Sequence, residues 1–177
     1  MSQRYCRRLV IIHWLTLLLV ITAFYFGHEL DETEQAAAKL SLYPIHFLLG
    51  DAILVLTLLR AYFIRKDGKP APLKSDSPLA DKVATGIHHL LYVLLIAVPA
   101  SGMIMINTTG LIGALQAHDP ALLPDLEQFV IHEIHAALIF TLLATVALHA
   151  AAALKHQFIL KDGLMERMSL RSNKESD

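Results

Sequence analysis

The final apolar segment of the chain, residues 129–155, is long enough to cross a membrane and yet carries three histidines. Two of them, His135 and His149, are fourteen residues apart, which is close to four whole helical turns. Both imidazoles therefore leave nearly the same face of a helix. A rise of about 1.5 Å per residue separates them by roughly 21 Å along the axis. Since a bilayer core is about 30 Å thick, we expect one inward-facing imidazole near each side of a membrane.

Three further apolar stretches have the length of about twenty residues that a transmembrane helix needs. With the final segment they make four predicted spans, at residues 9–27, 42–64, 86–106 and 129–155. The first has the basic front of a secretory signal, but its apolar run is too long, contains His13 and is followed by no A-x-A-like cleavage site. We therefore predict an all-α protein, a transmembrane four-helix bundle that forms one domain over residues 1–177.

The connections between the spans differ in charge. Lys and Arg concentrate near the two termini and around the second connection: Arg4, Arg7, Arg8, Arg60, Arg65, Lys66, Lys69, Lys74, Lys82, Lys155, Lys161, Arg167, Arg171 and Lys174. The first and third connections are acidic, with Glu29, Asp31, Glu32, Glu34, Asp119, Asp125 and Glu127 against Lys39. The positive-inside rule then puts both termini in the cytoplasm and the acidic connections outside. Without an organelle-targeting pattern, the predicted location is a bacterial inner membrane.

Composition excludes several other classes of protein. The formal net charge is −1, so the chain has no basic excess that would favour nucleic acid. Cys6 is the only cysteine, which excludes an intrachain disulfide and a cysteine-rich iron–sulfur or metal site. The unusual feature is the number of histidines, ten in all. Several lie inside apolar segments, where ionisable side chains are costly and usually functional.

The histidines inside the spans sort into two levels. His13 and His149 lie toward the cytoplasmic ends of their spans, whereas His46 and His135 lie toward the outer ends of theirs. A haem iron accepts two axial nitrogens from opposite faces of the porphyrin, and facing helices of a bundle can supply them. We therefore predict two haems, with His13 and His149 ligating the iron of one and His46 and His135 the iron of the other. Two imidazoles leave no open site for oxygen, which favours electron transfer.

Other residues are candidates for contacts around these cofactors. Haem propionates need cations or hydrogen-bond donors near the membrane surface, and Arg8, Arg60, Lys155 and His156 lie on the predicted cytoplasmic side. His88 opens the third span on the same side, as an interfacial residue or as a contact for a propionate or a quinone. We predict that Arg60, His88, Lys155 and His156 contact a quinone or the propionates.

The outer level offers alternatives. Gly50, one turn after the outer histidine of the second span, is small enough to let a porphyrin approach the helix. His132 is a second choice for the outer iron ligand. His132, Glu133 and His135 also form a short HEIH sequence that could bind zinc, although the second histidine follows at i+3 rather than at the i+4 of the HExxH motif.

Motifs along nearly the whole chain carry a family resemblance. They are IHW at residues 12–14, IHFLLG at 45–50, HHLLYVLLIAVPASG at 88–102, and HAAAALKHQF at 149–158 followed by KDGLMERM. With these motifs in this order, the sequence resembles the bacterial cytochrome b561 family. The resemblance implies a four-helix inner-membrane protein with two haems b, the cytoplasmic haem on His13 and His149 and the periplasmic haem on His46 and His135. It also implies an association with ubiquinone, and one member of the family looks like a superoxide oxidase that passes the electron to quinone.

The predicted function is electron transfer between the periplasmic side and the quinone pool, which would make the protein an oxidoreductase. Superoxide is one candidate donor, but it is an anion and the acidic outer connections would repel it. A second hypothesis is a haem-bearing anchor subunit that docks a periplasmic redox protein through those connections. A third is a haem-free, histidine-rich metal or proton transporter. The predicted partners are membrane lipid, a quinone and a periplasmic redox protein, and not nucleic acid.

Overall fold

The computed structural model describes residues 4–73 and 77–170, so Lys74, Arg171 and Lys174 of the charge pattern above lie outside the described residues. The five α-helices are α1 (Arg7–Glu32), α2 (Ala36–Asp67), α3 (Pro78–Thr108), α4 (Leu111–Ala117) and α5 (Val130–Lys155). Short 3₁₀ helices lie at Pro120–Leu122, Leu126–Gln128 and Met165–Met168, and a π-helical turn at His156–Leu160 continues α5.

The four predicted spans are confirmed as the four long helices. Each of α1, α2, α3 and α5 is long and apolar enough to cross a membrane. The sequence did not predict α4, which has only seven residues and lies in the third connection. So short a helix completes only two turns, too few for a recognisable apolar period.

The helices extend beyond the apolar runs that predicted them. α2 begins at residue 36 instead of 42, and α3 begins at residue 78 instead of 86. An apolar run marks the part of a helix inside hydrocarbon, whereas polar residues prolong the helix into the interface. The start of α3 is set by capping, because Pro78 occupies the first turn and the Ser77 hydroxyl accepts a hydrogen bond from the Ala80 N–H. α2 ends where Gly68 takes a φ of 77°.

The long helices pack as two pairs. α1 packs on α2 and α3 on α5, and the contact between α2 and α3 joins the pairs. Buried side chains from all four helices meet halfway along the bundle: Val20, Ala23, Ile53, Leu94 and Leu142. Leu18, Phe140 and Leu148 point outward and are exposed. Helices that are apolar on their inner and outer faces alike are typical of a membrane environment.

At one end of the bundle, three basic regions of the chain meet. The Tyr5 N–H donates to the Arg167 carbonyl at 3.2 Å, and the Arg167 guanidinium donates to the Ala71 carbonyl at 2.7 Å. The Trp14 indole N–H donates to the Met168 carbonyl at 3.0 Å. The N-terminal segment, the α2–α3 connection and the segment after α5 therefore share one end, as the predicted orientation requires. The side of the membrane that this end faces stays a prediction.

The opposite end is closed by the third connection. Leu30 of α1, Tyr43 of α2 and Leu111 of α4 form a second buried cluster there. Leu111 is completely buried, with a relative exposure of 0%. The short helix α4 therefore packs as a plug against the ends of α1 and α2.

Replacing Leu111 by Ala tests the contribution of this plug. Removing a fully buried leucine side chain leaves a cavity, so we expect the free energy of unfolding to fall by about 2–5 kcal/mol. The measurement is unfolding of the detergent-solubilised protein, followed by circular dichroism. The neighbouring Ile112→Ala is the control, because Ile112 is 40% exposed and its loss should cost less than about 1 kcal/mol. Equal losses in the two variants would contradict a packed α4.

Candidate haem-binding sites

Two pairs of histidines face each other across the bundle. His46 of α2 and His135 of α5 have ring centroids 6.4 Å apart with an interplanar angle of 81°. His13 of α1 and His149 of α5 have centroids 6.3 Å apart with an interplanar angle of 75°. The structure thus brings together the two pairs that the sequence predicts. We call them the His46–His135 level and the His13–His149 level.

The separation within each pair suits a single metal ion between two rings. A bond from a metal to an imidazole nitrogen is about 2 Å long. The ring nitrogen lies about 1 Å from the ring centre, given ordinary ring bond lengths. Two imidazoles on opposite sides of one iron therefore have centroids roughly 6 Å apart. The two observed separations agree with this value, so the residues present fit a bis-imidazole haem.

At the His46–His135 level, protein oxygens select the ring tautomer. The Nδ1 atom of His46 lies 3.0 Å from the Ala23 carbonyl oxygen, which can only accept, so this nitrogen carries the proton. The Nδ1 atom of His135 lies 2.7 Å from the Ser101 hydroxyl. That hydroxyl donates its proton to the Val98 carbonyl at 2.8 Å and so accepts from His135. Both rings then keep an unprotonated Nε2, the form that ligates a metal.

Glycines make room for these two rings. A Cβ atom at Gly27 of α1 would lie 3.1 Å from the Cε1 atom of His46. A Cβ atom at Gly102 of α3 would lie 3.5 Å from the Cε1 atom of His135. A Cβ atom at Gly50, which the sequence singled out, would meet no protein atom within 4 Å. The close approach of α1 to the His46 ring therefore depends on Gly27, whereas a Cβ atom at Gly102 would make an ordinary van der Waals contact with the His135 ring.

The His13–His149 level has a different set of neighbours. The His88 ring of α3 lies 5.2 Å from the His149 ring, centroid to centroid. The guanidinium of Arg60 interacts electrostatically with both His13 and His149. Its Nε atom donates to the Tyr92 hydroxyl at 3.2 Å, which holds the guanidinium in place. Arg60 and His88, both predicted as contacts, therefore converge on this pair.

Lys155 and His156 occupy another position, two helical turns beyond His149. Lys155 is the last residue of α5, and His156 begins the π-helical turn. The Nδ1 atom of His156 donates to the Asp162 carboxylate at 2.5 Å. This hydrogen bond holds the pKa of Asp162 below its usual value. The two residues thus form part of the exposed end of the bundle, where the chain leaves α5.

The zinc alternative finds no support within residues 4–73 and 77–170. No three His, Cys, Asp or Glu side chains converge there as a metal site. Within the HEIH sequence, His135 faces His46 while Glu133 is exposed. His132 has a buried Nδ1 atom without a hydrogen-bond partner and does not take the position opposite His46.

The sequence reasoning missed Gly27, Gly102 and Ser101 as neighbours of the ligands. One signal could have found the glycines, because the fourteen-residue spacing of α5 recurs in every long helix. The spaced positions are His13 and Gly27, His46 and Arg60, His88 and Gly102, and His135 and His149. In each helix the spacing puts one residue at each level on the same face. Ser101 carries no such signal, because its role depends on where α5 packs.

Four membrane-length helices, among which α1, α2 and α5 carry two pairs of facing imidazoles, are typical of a helical membrane protein that holds metal-centred cofactors. The model of a family described as prokaryotic cytochrome b561 matches residues 4–169. The chain therefore belongs to the prokaryotic cytochrome b561 family, whose members are haem-binding electron-transport proteins of the membrane. This confirms the resemblance carried by the motifs.

Individual relatives are similar along almost their full length. The chain is 36% identical over 172 residues to cytochrome b562 of Cereibacter sphaeroides, covering 93% of this chain and 94% of that protein. It is 31% identical over 172 residues to the probable superoxide oxidase CybB of Yersinia pestis, covering 95% and 97%. It is 28% identical over 166 residues to cytochrome b561 homolog 2 of Escherichia coli, covering 91% and 88%.

Replacing Ser101 by Ala removes the acceptor for the Nδ1 proton of His135. Loss of such a hydrogen bond to a ligating histidine typically weakens metal affinity by about 10–100-fold, and we expect haem affinity at this level to fall by that factor. The measurement is haem transfer from the purified protein to an apomyoglobin acceptor. Ser41→Ala is the control, because Ser41 is exposed and bonds only the Ala37 carbonyl of its own helix. Equal haem transfer from the two variants would contradict the role of Ser101.

Proposed function

We propose that this protein is an inner-membrane cytochrome b with two haems in one domain, which transfers electrons between the periplasmic side and the quinone pool. His46 and His135 would hold one haem, and His13 and His149 the other. The observation that carries the proposal is the pair of imidazole couples, 6.4 Å and 6.3 Å between ring centroids, at two levels of one bundle. A bis-imidazole haem supplies one-electron transfer without an open coordination site.

The protein's own residues would orient and insulate these cofactors. The Ala23 carbonyl and the Ser101 hydroxyl hold the rings of His46 and His135 with Nε2 free. The buried apolar side chains of the middle cluster lie between the two levels and exclude water from the path. With both axial positions filled by histidine, oxygen has no place to bind iron directly.

We place the His13–His149 level on the cytoplasmic side. The described basic residues cluster at that end, with Arg8, Arg65, Lys66 and Lys69 near the termini of α1 and α2. The positive-inside rule then assigns this end to the cytoplasm and the acidic end to the periplasm. The family and the helix composition are those of a multi-pass bacterial membrane protein.

We propose that quinone meets the protein where α5 ends, with Lys155 and His156 as contacts. A quinone has an apolar tail and ring but two carbonyl oxygens that require hydrogen-bond donors. Phe158 and Ile159 expose apolar surface beside His156 at this end. Arg60 and His88 would contact the propionates of the cytoplasmic haem or the quinone itself. This arrangement puts donors beside a surface that lipid-soluble molecules can reach.

The first test is a redox difference spectrum of the purified protein expressed with ample haem. We expect two haems per chain and a split alpha band on reduction. His149→Ala and His135→Ala should each lose one haem and a different component of the band. His118→Ala is the control, because His118 is exposed in a connection. Far fewer than two haems per wild-type chain would reject the proposal, and no visible absorption at all would favour the metal or proton transporter.

A second test addresses the quinone site. The chemically reduced protein is mixed with a short-chain ubiquinone, and reoxidation is followed at the alpha band. We expect His156→Ala to slow reoxidation on the order of tenfold, the cost of one lost hydrogen bond to a bound group. His28→Ala, at an exposed position near the opposite end of α1, should leave the rate unchanged. An unchanged rate in His156→Ala with both haems present would move the quinone site elsewhere.

Superoxide is a second candidate for the electron donor, because one relative is named a probable superoxide oxidase. The negative charge of the periplasmic connections would repel the superoxide anion. The exposed acidic residues there are Asp31, Glu32, Glu34, Asp125 and Glu127. Quinone reduction under a superoxide flux, faster than the spontaneous rate, would establish this activity. The same acidic end suits a basic redox protein, and copurification of such a partner would favour the anchor-subunit role instead.

A further inference from the structure

The two histidine levels differ in the charge that surrounds them. At the His13–His149 level, the facing positions of α2 and α3 are Arg60 and His88. Fourteen residues away on α1 and α3, the corresponding positions at the other level are Gly27 and Gly102. The register positions outside the two facing histidine pairs are thus Arg60 and His88 at one level and Gly27 and Gly102 at the other.

Among residues 4–73 and 77–170, no Asp or Glu side chain forms an ion pair with Arg60. Asp67, seven residues further along α2, pairs with Arg8 at 2.8 Å instead. The hydrogen bond from Arg60 is to the uncharged Tyr92 hydroxyl. The guanidinium therefore keeps its positive charge within electrostatic reach of His13 and His149.

The hydrogen-bond partners of the His46 and His135 rings are uncharged. The Ala23 carbonyl and the Ser101 hydroxyl bond the two rings, and both glycines are without charge. The loops at this end of the bundle add negative charge, and Asp31 is close enough to interact electrostatically with Tyr43. The formal charges of the loops at this end are thus mostly negative, and His132 is a titratable neighbour of His135.

A nearby positive charge disfavours the ferric form of a haem iron, because reduction removes one positive charge from the site. We propose that Arg60 raises the reduction potential of the haem held by His13 and His149 above that of the haem held by His46 and His135. One electron given up at the His46–His135 level is then taken up at the His13–His149 level, with no proton required. The potential difference gives the protein a direction, toward the end with the basic residues. This inference rests on the proposed function, because it needs haem at both levels.

The experiment is a potentiometric titration of the purified, haem-loaded protein at the alpha band. Wild type should show two midpoints, and His135→Ala should lose the lower one while His149→Ala loses the higher one. Arg60→Gln should lower the higher midpoint potential by at least about 59 mV, which is a tenfold change in the equilibrium constant of a one-electron couple. Arg60→Lys, which keeps the charge, should stay close to wild type. Arg65→Gln is the matched control, because it removes the same charge from an exposed position on the same helix.

Three results would overturn the inference. They are an unchanged pair of midpoints in Arg60→Gln, a shift confined to the lower midpoint, and loss of the lower midpoint in His149→Ala. If Arg60→Gln does not accumulate, the histidine variants still test the inference. They show which of the two wild-type midpoints belongs to the His13–His149 level, and the inference requires that it be the higher one. If the histidine variants do not accumulate, the Arg60→Gln shift decides. Two haems with unshifted potentials would reject only this inference, whereas absence of haem would reject the proposed function itself.

Discussion

A histidine inside a membrane-spanning helix needs a partner, because no water is present there to satisfy an unpaired polar group. His46 and His135 each have a hydrogen-bond partner in the protein and also lie opposite each other. Their Nδ1 atoms bond protein oxygens of neighbouring helices, and their ring centroids lie 6.4 Å apart, a spacing that fits one metal ion. The same hydrogen bonds connect the helices that pack as pairs, since His46 of α2 donates to α1 and His135 of α5 donates to α3.

The fourteen-residue register organises the whole bundle. Four helical turns return to nearly the same face, so each long helix presents one residue to each level. Seven residues from the ligands, Val20, Ile53 and Leu142 fall on the same faces and form the apolar layer between the levels. The bundle thus places histidines at some positions of this register and glycines at others.

The two levels are built on one plan but differ in polarity. One is lined by glycines and neutral hydrogen-bond acceptors, and the other has Arg60 and His88 beside its ligands. A charge inside a bundle is weakly screened, so a single guanidinium acts more strongly there than at a surface. The chain belongs to its family by sequence, whereas surface charge influences which charged molecules approach a protein.

The amino-acid sequence by itself determined the four spans and the position of each histidine along its span, because hydropathy and helical periodicity depend only on residues within one segment, and it predicted which histidines face each other. It could not predict α4, the capped start of α3 or the contacts of Ser101 and Gly27. Those depend on which helices become neighbours and on how far each is rotated, and residues far apart in the chain decide that together. Only the tertiary structure therefore brought Arg60 and His88 to one ligand pair and glycines to the other.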